Sequence, residues 1–237
     1  MRIALIGMGR MGRMIRDCAA DRGIEVGAEF NTATIAQLAQ CDRMDAVIDF
    51  SAPASLPALA AYVQRTGTPL VSGTTGYSDE EAARVNALGD YAPVAVSANF
   101  SIGVAVLKHL AAEAAALLPD FDIEIIETHH RMKKDAPSGT AKLLLSAVNP
   151  EGTRPTVFGR EGFAPRTAGE IGVHAVRGGT VAGVHTVSFF GDEEELSLTH
   201  RAESRRIFAI GALKTAEKLK DAPVGLHTLD ELLFARR

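Results

Sequence analysis

A glycine-rich turn directly behind a short apolar strand, at the start of the chain, most constrains the fold. The apolar run Arg2–Ile6 predicts a buried strand, and the turn Gly7–Gly12 follows it and opens a predicted helix. In this GxGxxG spacing the first glycine permits a tight turn, the second lets a pyrophosphate approach, and the third lets the helix pack on the strand. An ordinary βα turn rich in glycine has the same letters. Its place between strand and helix favours a dinucleotide-binding turn.

An acidic residue follows at the end of the next predicted strand, where such a fold places one about 20 residues further on. Glu29 ends the segment Ile24–Glu29, and a carboxylate there accepts hydrogen bonds from ribose hydroxyls and repels a 2′-phosphate. We therefore expect NADH to be the preferred cofactor. Arg10 and Arg13 leave NADPH as the alternative, since either could reach a phosphate from the turn. A surface glutamate at a strand end is the simpler interpretation of Glu29.

The first hundred residues alternate strands and helices, which is typical of a doubly wound parallel sheet. Apolar strands are predicted at Ala46–Phe50 and Pro69–Val71, and each ends in a loop of small residues. Ligands of such sheets lie across the carboxyl ends of the strands, although each loop taken singly is equally well an ordinary turn. The predicted cofactor contacts are Gly7, Met8, Gly9, Arg10, Met11, Gly12, Glu29, Phe50, Ser51, Gly73, Thr74, Thr75, Ser97, Ala98, Asn99 and Phe100.

The second half of the chain has a different pattern. After a predicted helix at Val104–Leu117 come long segments rich in β-branched residues, which indicate an open sheet of antiparallel strands. An open sheet must cover its apolar faces, so we expect helices on one face and a second subunit on the other. Residues 151–170 are expected to form a mobile loop. The further elements predicted are strands at Ile171–Val176, Val181–Phe190 and Leu196–Thr199, a helix at Ile207–Leu219, and a tail, Leu226–Phe234, that rejoins the first domain.

The segment Glu127–Thr140 concentrates two histidines and three fixed cations in front of a helix-start signal. Mutual repulsion of these cations costs free energy unless an anion binds there, although a solvated basic loop is the simpler interpretation. Ser138 or Thr140 would cap the following apolar helix, whose N-terminus would attract a carboxylate. A strand at Phe121–Ile126 would deliver the histidines at its C-terminal end. We infer a site that holds an anion and gives it a proton.

Composition excludes several other classes of protein. The 237 residues have a formal net charge of −4, which argues against nucleic-acid binding and makes the basic cluster a local feature. Cys18 and Cys41 are too few and unpatterned for a disulfide framework, so we expect packing cysteines in a reducing compartment, the cytoplasm. No apolar run reaches the length of a membrane span and the chain enters a strand at once, so neither membrane span nor signal peptide is expected.

Three other functions fit parts of the pattern. Another nicotinamide-dependent enzyme, such as an amino-acid dehydrogenase, would keep the glycine turn without needing the basic loop. A redox sensor would bind NADH without consuming it. A metal centre of His129, His130 and His174 is disfavoured because adjacent histidines point in divergent directions and no carboxylate lies at ligand spacing, so no metal is predicted.

Several motifs together resemble the dihydrodipicolinate reductase family over essentially the full length, and the His-His-Arg-x-Lys-x-Asp-Ala-Pro-Ser-Gly-Thr pattern is highly specific to that family. The shared segments are Gly7–Gly12, Asp49–Ser51, Gly73–Gly76, Asn99–Ser101, Glu127–Thr140 and Val176–Thr180, followed by Gly183, His185 and Thr186. The resemblance implies NAD(P)H-dependent reduction of 4-hydroxy-tetrahydrodipicolinate on the diaminopimelate route to lysine. It also implies a homotetramer assembled through the central sheet.

By position, the resemblance makes His129 and Lys133 the acid–base residues. It gives the substrate carboxylates to His130, Ser138, Gly139 and Thr140. The fold implied is a Rossmann-like dinucleotide-binding domain, residues 1–99 plus 208–237, and a central α+β domain with an open mixed sheet, residues 100–207. The chain departs from the family pattern in a shorter segment at residues 31–45, in having no arginine directly after Glu29, and in the extra charge of Lys134.

Overall fold

The computed structural model describes residues 1–234. The chain divides into two compact units, one formed by residues 1–102 with those from 206 onward and the other by residues 103–205. No helix among the described residues is both long and apolar enough to cross a membrane.

The first unit is built on a six-stranded sheet in which every strand pair is parallel. The order across the sheet is β11-β5-β4-β3-β1-β2, so the chain reverses direction of winding on either side of β1. The doubly wound sheet predicted from the sequence is confirmed. Its strands are β1 (Arg2–Ile6), β2 (Glu25–Phe30), β3 (Ala46–Asp49), β4 (Leu70–Ser72), β5 (Pro93–Val96) and β11 (Gly225–Leu226).

Helices cover both faces of this sheet, which explains why its strands are apolar on both sides. One face packs against α1 and α6 through buried side chains such as Ile15, Cys18 and Leu213. The other packs against α2 and α3 through Leu59 and Val85. The predicted packing role of Cys18 and the return of the tail to the first unit are both confirmed. The helices are α1 (Arg10–Asp21), α2 (Leu56–Thr66), α3 (Asp79–Asn86), α6 (Arg206–Leu219) and α7 (Leu229–Phe234).

The second unit contains a five-stranded mixed sheet of order β10-β9-β6-β8-β7. Helices α4 (Ile102–Leu117) and α5 (Gly139–Val148) pack on one face, against Ile123, Ile125 and Val187. We call this the covered face and the opposite one the open face. The strands are β6 (Asp122–His129), β7 (Thr156–Phe158), β8 (Ile171–Arg177), β9 (Gly183–Gly191) and β10 (Glu194–Ala202).

Two predictions for the second unit were wrong. The strand expected at Ile171–Val176 is not antiparallel to its neighbours, because β8 pairs in parallel with β6 and β7. The segment 151–170 was expected to be a loop throughout, yet it contains β7, whose three residues are too few to show a strand period.

Candidate active site

The glycine turn after β1 has the geometry that a dinucleotide requires. Gly7 has φ +92°, and a side chain on Gly12 would overlap the carbonyl oxygen of Gly7, so the turn and the start of α1 are in close contact. A Cβ at Gly9 would meet nothing within 4 Å. Gly9 is also the N-cap of α1, with no side-chain capping bond. An open, uncapped helix N-terminus fits a pyrophosphate group.

The loops after β3 and β4 lie against each other at the carboxyl ends of their strands. The buried carboxylate of Asp49 accepts hydrogen bonds from the hydroxyls of Ser51 (2.5 Å), Ser72 (3.1 Å) and Thr74 (2.8 Å). Burial raises the pKa of Asp49, although these hydroxyl donors oppose the rise. Phe50 packs against Gly73. Asp49 therefore joins two of the loops in which cofactor contacts are predicted.

The loop after β5 meets the same group. The rings of Phe50 and Phe100 lie 5.8 Å apart between centroids, and the backbone N–H of Ser97 donates to the carbonyl of Ser72 at 3.0 Å. The structure thus brings together the three loops that the sequence pointed to separately. Asp49, which connects two of them, was quoted in a motif but given no role.

Glu29 is exposed near the end of β2, next to the glycine turn, because the N–H of Gly7 donates to the carbonyl of Phe30 at 2.8 Å. A guanidinium nitrogen of Arg16 lies 3.8 Å from a carboxylate oxygen of Glu29. Sequence reasoning considered Arg10 and Arg13 as phosphate-binding cations and missed Arg16. The helical spacing of three residues from Arg13 was the signal that could have indicated it.

In the second unit, His129 is the last residue of β6 and is mostly buried, as expected of a strand that delivers the histidines at its C-terminal end. Its Nδ1 lies 2.5 Å from a carboxylate oxygen of Glu127, which has no exposed surface. Burial lowers the pKa of His129, and the hydrogen bond to Glu127 opposes that effect. The imidazole is therefore directed by a carboxylate on its own strand.

The basic loop after β6 is tied to the turn between β8 and β9. The N–H of Gly178 donates to the carbonyl of His129 (2.9 Å), and the N–H of Arg131 donates to that of Gly179 (3.2 Å). Arg177 donates to both carboxylate oxygens of Glu127 and to the carbonyl of Asp135. Loop and turn therefore form one assembly around Arg177.

The cations of the loop have different surroundings. Lys133 is largely buried and its Nζ lies 2.8 and 2.9 Å from the carboxylate oxygens of Asp135, whose pKa is lowered first by this hydrogen bond. His130 is partly buried, whereas Arg131 and Lys134 are exposed. Repulsion in the cluster is thus relieved in part by a carboxylate of the loop itself.

Ser138 caps α5, which decides between the two candidates that the sequence offered. Its hydroxyl accepts from the N–H of Ala141 at 3.1 Å and lies 3.1 Å from Nε2 of His185. Its own N–H donates to Glu127 at 3.0 Å. Gly139, the first residue of the helix, is exposed, and a Cβ there would meet nothing within 4 Å. The start of α5 is therefore accessible to an anion and fixed to the same carboxylate as His129.

His174 does not join this group. Neighbouring residues of a strand point to opposite faces, and His174 lies on the open face, where its Nε2 contacts Glu124 at 2.8 Å. His129 lies on the covered face with Glu127. Within residues 1–234, no cluster of three or more His, Cys, Asp or Glu side chains is arranged to hold a metal ion.

Comparison with known proteins identifies the family. Two family models match, one described as the N-terminus of dihydrodipicolinate reductase over residues 1–100 and one as its C-terminus over residues 103–233. The chain belongs to the dihydrodipicolinate reductase family. Proteins named 4-hydroxy-tetrahydrodipicolinate reductase from Exiguobacterium sp. and Clostridium tetani are each 41% identical to it; both alignments cover 98% of this chain, and 95% and 97% of those proteins.

Solved structures show the same fold. A dipicolinate-bound dihydrodipicolinate reductase from Paenisporosarcina sp. TG-14 superposes with a TM-score of 0.80 at 22% identity, covering 98% of this chain and 99% of that one. The diaminopimelate dehydrogenase of C. glutamicum, bound to DAP, has a TM-score of 0.55 at 14% identity, covering 100% and 96%. The likeness to the family's own fold is the stronger of the two.

Three residues of this family member lie at the candidate site without a role assigned from the sequence. Glu127 and Arg177 form a buried ion pair beside His129, and the ring of His185 lies 5.1 Å from that of His129 between centroids. The spacing of two between Glu127 and His129 was a usable signal, since alternate residues of a strand share a face. Arg177 and His185 come from other strands, so only the pairing of the sheet places them.

His185 gives a prediction for the pH dependence of stability. Burial, and then the charge of His129, lower its pKa from 6.5 to about 4. Between these values the unfolded chain takes up a proton that the folded chain does not, so this contribution to stability is present above pH 6.5 and is lost as the pH falls towards 4. We expect His185→Gln to flatten the fall in Tm between about pH 7 and about pH 4.5. Melting curves of both proteins check this, and equal slopes would contradict it.

Proposed function

We propose that this chain catalyses the NAD(P)H-dependent reduction of 4-hydroxy-tetrahydrodipicolinate to tetrahydrodipicolinate, on the diaminopimelate route to lysine. The observation that carries the proposal is the basic loop, in which a carboxylate-held His129 and a lysine, Lys133, lie beside the accessible start of α5. Relatives that align over nearly the full length have this name. An amino-acid dehydrogenase has weaker support, since such structures are similar to this chain in fold alone.

The chemistry requires an anion site and a proton donor. The nicotinamide, when bound, supplies a hydride to the substrate ring, and one proton and the loss of the hydroxyl as water complete the balance. We assign the proton to Lys133, because burial lowers the pKa of His129 and favours its neutral form. His130 and the turn Ser138–Thr140 hold the substrate carboxylates, supported by the exposed start of α5.

The same proposal places the cofactor on the first unit, at the glycine turn and the loops joined by Asp49 and Phe50. Residues 1–99 with 208–237 form its dinucleotide-binding domain, and residues 100–207 the substrate-binding and oligomerisation domain. The cytoplasm is the proposed location, supported by two cysteines that form no disulfide.

We propose a homotetramer built through the open face of the five-stranded sheet. Ile126, Val176 and Phe190 lie on that face, and each exposes more than a third of its surface. An apolar sheet face of this kind is typical of a subunit interface. Light scattering in solution tests it, and a monomeric mass would contradict it.

NADH is the proposed preferred cofactor and NADPH the second, because the Glu29 carboxylate repels a 2′-phosphate, while Arg16 beside it leaves some attraction. Glu29→Gln is expected to lower the ratio of kcat/KM for NADH over NADPH several-fold, measured side by side. Glu25→Gln, on the same strand and exposed, is the control. A wild-type preference for NADPH of about tenfold, equal to about 1.4 kcal/mol, would refute the proposal.

The direct test of activity mixes the protein with NADH and freshly made 4-hydroxy-tetrahydrodipicolinate. We expect loss of NADH absorbance that needs both protein and substrate, with tetrahydrodipicolinate as the product. Binding of NADH without its consumption would identify a redox sensor instead. Consumption with amino-acid or keto-acid substrates, and none with this one, would favour a dehydrogenase of another specificity.

A further inference from the structure

We propose that Glu127, held by Arg177, is a positioning residue that fixes the orientation and the tautomer of His129, with the proton on Nδ1 and Nε2 available for chemistry. The inference deepens the proposed function and rests on it for the role of His129. Its structural part concerns the protein alone and can be measured without substrate.

The geometry leaves Glu127 one orientation. Its side chain has no exposed surface, and Arg177 donates to its two oxygens at 2.7 and 2.8 Å. The N–H of Ser138 adds a third bond at 3.0 Å. This is a bidentate pair reinforced by a backbone donor, the arrangement that holds a carboxylate most firmly. Glu127 therefore presents the oxygen nearest to His129 in a fixed place.

The ionisation state of Glu127 follows from the same contacts. Burial alone would raise its pKa, but the hydrogen bonds from Arg177, His129 and Ser138 outweigh burial and lower it. An ionised carboxylate only accepts hydrogen bonds. Nδ1 of His129, 2.5 Å away, must therefore be the donor, and a neutral ring has its lone pair on Nε2.

Space is left around that second nitrogen. A side chain at position 183 would lie 3.1 Å from Nε2 of His129, and Gly183 has none. The charged and titratable groups that face the ring are Glu127 on its own strand, Arg177 on β8, His185 on β9 and Lys133 on the loop. Glu127 is the anion among them, so it alone of these four stabilises a protonated His129.

The strand provides its own matched control. Glu124, also on β6, contacts an arginine, Arg166, and a histidine, His174, in the way that Glu127 contacts Arg177 and His129. Glu124 lies on the open face, away from His129. A general effect of losing a charge from this strand would appear in both variants, whereas loss of positioning would appear in Glu127→Gln alone.

The experiment compares Glu127→Gln and Glu124→Gln with the wild type. For Glu127→Gln we expect kcat to fall about tenfold to 100-fold, with the affinity for NADH retained and the apparent pKa of the His129 limb of the kcat profile moved down. Glu124→Gln should keep the wild-type kcat and pH profile. Nitrogen NMR of the imidazoles should show His129 protonated on Nδ1 in the wild type and as a mixture in Glu127→Gln.

Two outcomes would overturn the inference. One is a Glu127→Gln protein with wild-type turnover and an unchanged tautomer. The other is a wild-type spectrum with the proton of neutral His129 on Nε2, which decides the matter even if the variant fails to fold. A wild type that does not reduce the substrate would refute the proposed function while the NMR result stood on its own.

Discussion

Replacing Lys133 with alanine is expected to lower kcat by about 10²- to 10⁴-fold, the usual contribution of a general acid. Lys133 is largely buried in the basic loop beside Asp135, and it is the proposed source of the proton. Affinity for NADH should stay near that of the wild type, because the proposed cofactor contacts are on the first unit. Steady-state kinetics and a fluorescence titration with NADH measure the two quantities separately.

The neighbouring lysine supplies the control for this variant. Lys134 is exposed, so Lys134→Ala removes the same charge from the same loop and should change kcat little. Equal losses in the two variants would mean that the loop acts through its total charge. A loss of NADH affinity as large as the loss of turnover in Lys133→Ala would contradict the role of proton donor.

Replacing Gly9 with valine is expected to weaken NADH binding by at least about tenfold while the fold is retained. Gly9 has φ −75° and ψ −158°, an extended conformation that valine adopts readily, and a Cβ there meets no protein atom within 4 Å. The space that the valine fills is the space proposed for the pyrophosphate. Calorimetric titration with NADH and the Tm of the variant measure the two effects.

The control lies on the same helix. Ala20 is exposed near the end of α1, so Ala20→Val makes a comparable change far from the glycine turn and should leave NADH affinity unchanged. Wild-type affinity in Gly9→Val would show that the cofactor does not use this turn. A large fall in Tm would show that the glycine is needed for folding.

Much of the fold was readable because its signals are local. The strand and glycine turn at Arg2–Gly12 follow one another directly, and the apolar periodicity of α1 placed Cys18 in the core. The carboxyl ends of parallel strands meet at one edge, which is why loops far apart in the sequence were correctly expected together. The end of β6 at His129 followed from the same alternation.

The parts that were missed depend on strand pairing. The parallel direction of β8 is set by the crossover through α5, and no residue within β8 specifies it. Arg177 reaches Glu127 only because His129 and Arg177 are partners in that register. The sequence indicated a cluster of cations, but it did not show that a buried carboxylate organises them.

A crystal structure with dipicolinate and NADH tests the central claim most directly, namely that the basic loop and the start of α5 bind a cyclic dicarboxylate for reduction. We predict that the carboxylates accept hydrogen bonds from His130 and from the turn Ser138–Thr140, with Lys133 beside the ring. A structure in which dipicolinate is absent from this place, with the side chains of the loop turned towards solvent, would contradict the account.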